Sequence, residues 1–166
     1  MKYLKNKIIH FLIFGGIYMD VEVLARAHGQ QLVGYEGIKP LSLMGFTSLW
    51  MFLVGGLCGV IIGGLNDRPG YYNLKMWKQV LIGGTTITLV ELFSGIFFNL
   101  YLGLHLWDYS KDRFNFMGQI ELKNCIWWYV LPILIIWLDD VLSCYFYGDD
   151  RPPSLIMYLV KLVTLR

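Results

Sequence analysis

Apolar residues in this chain gather in long runs, each broken or bounded by a few acids. The cleanest run is Leu41–Asn66, which holds no charged residue. As a helix, its 26 residues would reach roughly 39 Å at ~1.5 Å each, enough to cross a ~30 Å hydrocarbon core with tilt. Pro40 marks its start, and Asn66-Asp67-Arg68-Pro69-Gly70 is a strong turn signal at its end. A second long run, Gln79–Leu106, has Glu91 as its only acid and is flanked by Trp77 and Trp107, as suits a membrane–water boundary.

Two further runs are less regular. Ile8–Met19 is followed directly by Asp20 and Glu22, so a crossing must include those acids or stop short. Its basic leader, Met1–Lys7, resembles a signal peptide, but no small-residue cleavage site follows, and a retained first helix over 8–26 is expected. The charge-free stretch Asn124–Leu138 is only about 22 Å long as a helix. A span over 124–147 would carry Asp139 and Asp140, with a kink at Pro132. After Arg151-Pro152-Pro153, Leu155, Tyr158, Leu159, Leu162 and Leu165 recur at helical spacing, which predicts an interfacial amphipathic helix over 154–166.

The expected architecture is therefore all-α. It is a polytopic integral membrane protein, a single transmembrane domain built as a four-transmembrane-helix bundle over 8–26, 41–66, 79–106 and 124–147, with a C-terminal amphipathic helix.

Composition narrows the class. Hydrophobic residues make up 56% of the chain and charged residues 16%, against about 25% charged in soluble domains. Too little polar surface remains to cover a soluble domain of this size, which argues against a soluble enzyme and against disorder. The net charge is only +2, and no basic arm or domain suits nucleic-acid binding. Membrane lipids are the expected surroundings. With the N-terminus inside, nine Lys and Arg residues fall on the inner side (Lys2, Lys5, Lys7, Arg68, Lys75, Lys78, Arg151, Lys161, Arg166) and five outside (Arg26, Lys39, Lys111, Arg113, Lys123). That bias puts both termini in the cytoplasm.

The charged and small residues inside the runs are where chemistry could reside. Glu91 lies near the middle of its span, where a carboxylate costs from about 2.5 kcal/mol upward and needs an interior partner. At 100° per residue, Gly84, Thr88, Gly95 and Leu102 share its face, and His105 lies near it. Glu91 is either a tie between two helices or an ion, proton or polar-substrate site. Asp139 and Asp140 are either a solvated interfacial pair or part of a cation site, and only one of two neighbours can face a given cavity. Gly55, Gly59 and Gly63 form a small-residue stripe, suited to close packing within the chain or between copies. Leu106–Leu122 mixes aromatics, acids and amides, and could cap the protein as an ordered or re-entrant loop. Cys58, Cys125 and Cys144 have no CxxC spacing. The three histidines lack HxxxH or HExxH spacing, so no metal is expected. No P-loop, GxGxxG or GxSxG motif is present, so no cofactor and no enzymatic reaction is expected.

Several of these residues form an ordered set. Glu91-Leu92-Phe93-Ser94-Gly95, Asn99, Leu106-Trp107-Asp108-Tyr109-Ser110, Phe114-Asn115 and Gly118-Gln119-Ile120 resemble the pattern of the CmpB-like bacterial membrane protein family, described as putative ABC-transporter type IV. Gly45–Met51 resembles the family's segment before its second helix. The resemblance covers Gly45 to Trp128, about half the chain, and Glu121-Leu122 stands where the family continues with Cys-Leu. It implies a small polytopic bacterial inner-membrane protein, and puts weight on Glu91, Trp107, Asp108, Tyr109, Asn115 and Gln119 as a shared constellation. As a transporter the chain would need a separate nucleotide-binding subunit or an ion gradient.

Two functional readings follow. One is a transport or channel-like component acting as a homo-oligomer or with a cytoplasmic partner subunit. The other is a membrane scaffold, sensor or effector subunit that works by assembly.

Overall fold

A computed structural model describes residues 2–29 and 40–165. Lys39 and Arg166, both counted in the charge bias, lie outside them. Among the described residues, 71% are helical, and four helical stretches are long and apolar enough to cross a membrane: Lys7–Ala27, Leu49–Asn66, Met76–Tyr101 and Leu122–Tyr147. Chain packing divides into two compact units, Met1–Val60 and Ile61–Arg166, with the division falling inside the second span.

In the first unit, α1 (Lys2–Gly29) runs straight through Asp20 and Glu22. The Glu22 carboxylate is met one turn on by Arg26, whose Nη2 lies 2.7 Å away, and by the Thr47 hydroxyl. Arg26 also stacks over Phe46 at 4.2 Å. These contacts explain how the helix accommodates the Glu22 charge in its last turns. Helix α2 (Leu49–Asn66) starts later than its apolar run. Residues Pro40–Ser42 form a single 3-10 turn, Leu43 takes a positive φ of 54°, and the backbone at Gly45 presses against Val23. An 18-residue helix is about 27 Å long, close to the ~30 Å core.

The second unit holds the remaining elements. A short helix α3 (Pro69–Tyr72) occupies the expected turn. Helix α4 (Met76–Gly95) begins three residues before the apolar run at Gln79. It passes into a π-helical segment, Ile96–Tyr101, and ends short of Leu106 because Gly103 (φ 66°) and His105 (φ 50°) leave the helical region. The fourth span is two helices, α5 (Leu122–Trp128) and α6 (Leu131–Tyr147). Pro132 sits in the first turn of α6, where its missing N–H leaves no bond unmade. The interruption therefore lies before the proline, at Tyr129 and Val130. Gly83 of α4 makes room for the Pro132 ring, which would lie 2.7 Å from a Cβ there. Between these spans, β1 (Asn115–Phe116) and β2 (Ile120–Glu121) pair antiparallel, Asn115 opposite Glu121 and Phe116 opposite Ile120.

The C-terminal helix α7 (Leu155–Val163) is shorter than expected. Tyr158 is buried, whereas Ile156, Met157, Leu159, Val160 and Val163 are exposed. Along the spans, Leu53, Leu57, Leu89, Phe93, Ile126 and Leu134 are also exposed, as expected of side chains that meet lipid rather than water.

Candidate functional site

The segment between α4 and α5 is a tightly bonded cap. Asn99, buried at 4% exposure, stands in the π-helical turn. Its Nδ2 donates to the Trp107 carbonyl (3.0 Å) and to Gln119 Oε1 (2.9 Å), and its Oδ1 accepts from the Leu106 N–H (2.7 Å). The Trp107 indole N–H donates to the Gln119 carbonyl at 2.9 Å. Gly95 leaves the space that Gln119 and Trp107 fill: a Cβ there would come within 2.7 Å of Gln119 Oε1.

The rest of the cap is turn chemistry. Asp108 Oδ1 accepts from the Ser110 N–H at 2.8 Å, an Asx-type turn. This N–H and the Ser110 hydroxyl hold the exposed Asp108 carboxyl below its ordinary range. Asn115 Nδ2 donates to the carbonyls of Ser110 and Asp112, and its Oδ1 accepts from the Gly118 N–H. The hairpin closes on Met117 (φ 56°) and Gly118 (φ 69°), two successive positive φ values of the kind type I′ turns need.

Glu91, at 8% exposure, faces the interior beneath this cap. Its carboxylate accepts from the Trp128 indole N–H of α5 and from the Tyr109 hydroxyl at 3.4 Å. Burial, ahead of the neighbouring Glu91 charge, pushes the Tyr109 hydroxyl well above its usual pKa. Thr88 does not reach Glu91. Its hydroxyl returns to the Gly84 carbonyl at 3.0 Å and meets the Cys125 thiol. His105 is exposed on the loop. The wider π turn and the helix end at Leu102 remove it from the 100°-per-residue frame that placed it near Glu91.

The other end of this unit carries a second polar cluster. Asp139, at 1% exposure, lies against Gly63, whose absent side chain leaves room for the carboxylate. Its neighbour Asp140 turns toward a cavity and accepts from Asn66 Nδ2 (2.8 Å) and the Tyr158 hydroxyl (2.6 Å). Asn66 also reaches Asp139 at 3.3 Å. The two acids are thus divided as their 100° offset requires. Gly55 and Gly59 face Tyr18 and Phe14 of α1, so the glycine stripe is filled by side chains of this chain at all three positions.

The cap and the Glu91 site hold the same residues that form the ordered motif in the sequence. The family model described as Putative ABC-transporter type IV (CmpB) matches residues 33–165. The chain belongs to this family. No solved structure matches it. The family match extends past Trp128 through α6 and α7, and so includes Asp139, Asp140 and Tyr158.

Within this CmpB-type chain, the structure joins Glu91, Tyr109, Trp107 and Gln119 around one cap. It holds Asp108 and Asn115 in that cap's turns, sets Asp139 and Asp140 at the opposite end of the spans, and leaves His105 outside both clusters. Sequence reasoning missed Trp128, Asn66 and Tyr158 as partners. Tyr158 was legible only as an apolar-face residue, and Asn66 only as a turn signal. Trp128 carried no signal beyond its place near the start of a span.

Proposed function

We propose that this protein is the membrane component of a transport or channel-like system, multi-pass in the bacterial inner membrane with both termini cytoplasmic. In this reading Glu91 contacts the passing cation, proton or polar solute, and the Trp107–Gln119 cap guards one end of the route. The observation that supports it is the buried mid-span carboxylate held by Tyr109 and Trp128, two side chains from outside its own helix. Ionisable side chains inside membrane spans are costly, and ion pathways and proton relays are built from them. Four spans are few for a monomeric transporter, so the working form is a homo-oligomer or a complex with a separate cytoplasmic subunit that supplies energy.

One observation favours the second reading, a scaffold or effector subunit that works by assembly. Both Glu91 oxygens are already satisfied within the chain, as a structural tie between α4, α5 and the cap requires. Reconstitution into proteoliposomes separates the two. Flux of protons or small cations that falls in Glu91→Gln supports transport. Equal flux from empty vesicles and from wild type would leave assembly as the function.

A further inference from the structure

A cavity of about 490 Å³ opens where three spans end. It is bordered by Asn66, the last residue of α2, by Met76 at the start of α4, and by the segment that follows α6. As the ends of helices long and apolar enough to span a bilayer, these positions fall where a membrane–water boundary would lie. The volume is within the ~300–1,000 Å³ range of small-molecule sites.

The polar lining carries both signs. Asp67, Asp140, Asp149 and Asp150 contribute carboxylates, and Arg151 and Lys161 contribute cations. Among the described residues, Asp149, Asp150, Arg151 and Lys161 form no ion pair with one another. Asp140 is held rigid by Asn66 and Tyr158. No three Asp, Glu, His or Cys side chains among the described residues gather closely enough to hold a metal ion. The carboxylates are spread around the wall, so the ligand they suit is an extended organic molecule rather than a metal ion.

A second hollow, about 290 Å³, adjoins the first and shares Tyr72, Met76, Gln79 and Lys161 with it. Its remaining lining is mainly apolar: Leu74, in the turn before α4, and Met157 and Val160 of α7. A polar hollow opening into an apolar one, with a lysine on the shared wall, is the shape of a site for an amphiphile. The apolar part would take the first carbons of an acyl chain.

We propose that these two hollows bind one phospholipid whose headgroup carries a primary ammonium beside its phosphate. Lys161 and Arg151 take the phosphate. Asp140, Asp149 and Asp150 accept from the ammonium, which offers three N–H donors where a quaternary ammonium offers none. The excess of carboxylates disfavours a purely anionic headgroup. The site does not depend on the role assigned to Glu91.

The test uses the purified full chain in detergent, with bound lipid read by native mass spectrometry. Short-chain phosphatidylethanolamine, phosphatidylcholine and phosphatidylglycerol are titrated, together with water-soluble glycerophosphoethanolamine. The expected result is at least fivefold tighter binding of phosphatidylethanolamine than of the other two lipids. That preference should be lost in the double variant Asp149→Asn, Asp150→Asn, whereas Lys161→Gln, which removes a phosphate contact, should weaken binding of all three lipids at least fivefold. These residues are exposed, and an unchanged melting temperature without added lipid confirms that each variant folds. Equal affinity for the three lipids, or variants that bind as wild type does, would overturn the proposal. So would glycerophosphoethanolamine binding as tightly as the lipid, since the apolar hollow would then have no part in the site.

Discussion

Replacing Asn99 with Ala removes three hydrogen bonds at once. The Leu106 N–H, the Trp107 carbonyl and Gln119 Oε1 each lose a partner within 3.0 Å, in a place where Asn99 itself is 4% exposed and water has little access. Each buried polar group left unpaired costs about 1–3 kcal/mol. Some of the three will find water as the loop relaxes, so a net loss near 3 kcal/mol is a reasonable central figure. At about 1.4 kcal/mol per factor of ten, the cap should open roughly 100-fold more often. Amide hydrogen exchange of residues 104–119 reads this directly, with the Tyr109 N–H, bonded to the Gly118 carbonyl at 2.8 Å, as the most informative probe. Asn115→Ala serves as a comparison, because its bonds lie at the exposed edge of the cap and its effect should be near tenfold, about 1.4 kcal/mol. If Asn99→Ala changes exchange less than threefold, or no more than Asn115→Ala does, the cap is not held by the Asn99 node.

Gly59→Ala and Gly63→Ala would drive a methyl group into Phe14 and Asp139 respectively, and thermal melting should show losses of about 1–3 kcal/mol for each. Gly16→Ala, which meets nothing within 4 Å, should be neutral or raise stability by up to about 1 kcal/mol in the same assay. Burial and the bond to Asp140 push the Tyr158 hydroxyl well above its usual pKa. Such a raised group contributes fully below about pH 10, the unfolded tyrosine value, and its contribution fades as pH climbs from there toward the folded value. A fluorophore on Val163→Cys should therefore report α7 loosening only above about pH 10, and Tyr158→Phe should abolish that transition.

How much of this was legible in the sequence depended on whether a feature was local. Long apolar runs gave the four spans, because crossing a bilayer needs little more than length and hydrophobicity. Their ends were less legible. The π turn after Gly95 and the positive φ values at Gly103 and His105 depend on Asn99 reaching Trp107 and Leu106, and no hydrophobic pattern encodes that. The acids in α1 were a difficulty for the sequence pattern alone. Arg26, four residues after Glu22, was visible, but Thr47 was a partner only the fold could supply. The ordered motif from Glu91 to Ile120 correctly marked residues that meet in space. It did not reveal that Asp108 and Asn115 serve turns while Glu91 and Gln119 are buried. Asp140's partner Tyr158 lies 18 residues away on a helix whose spacing suggested only an apolar face.

The central claim is that Glu91 acts on a passing polar species and is not only a tie between helices. The measurement that tests it most directly is the ratio of two readouts on one sample: flux per folded protein in proteoliposomes, and melting temperature, for Glu91→Gln against wild type. The account predicts that glutamine keeps both contacts, its Oε1 accepting from the Trp128 indole N–H and its Nε2 donating to the Tyr109 hydroxyl oxygen, so the melting temperature stays within a few degrees while flux falls at least tenfold. A melting temperature that drops sharply with flux per folded protein unchanged would contradict it, and would make Glu91 the structural tie.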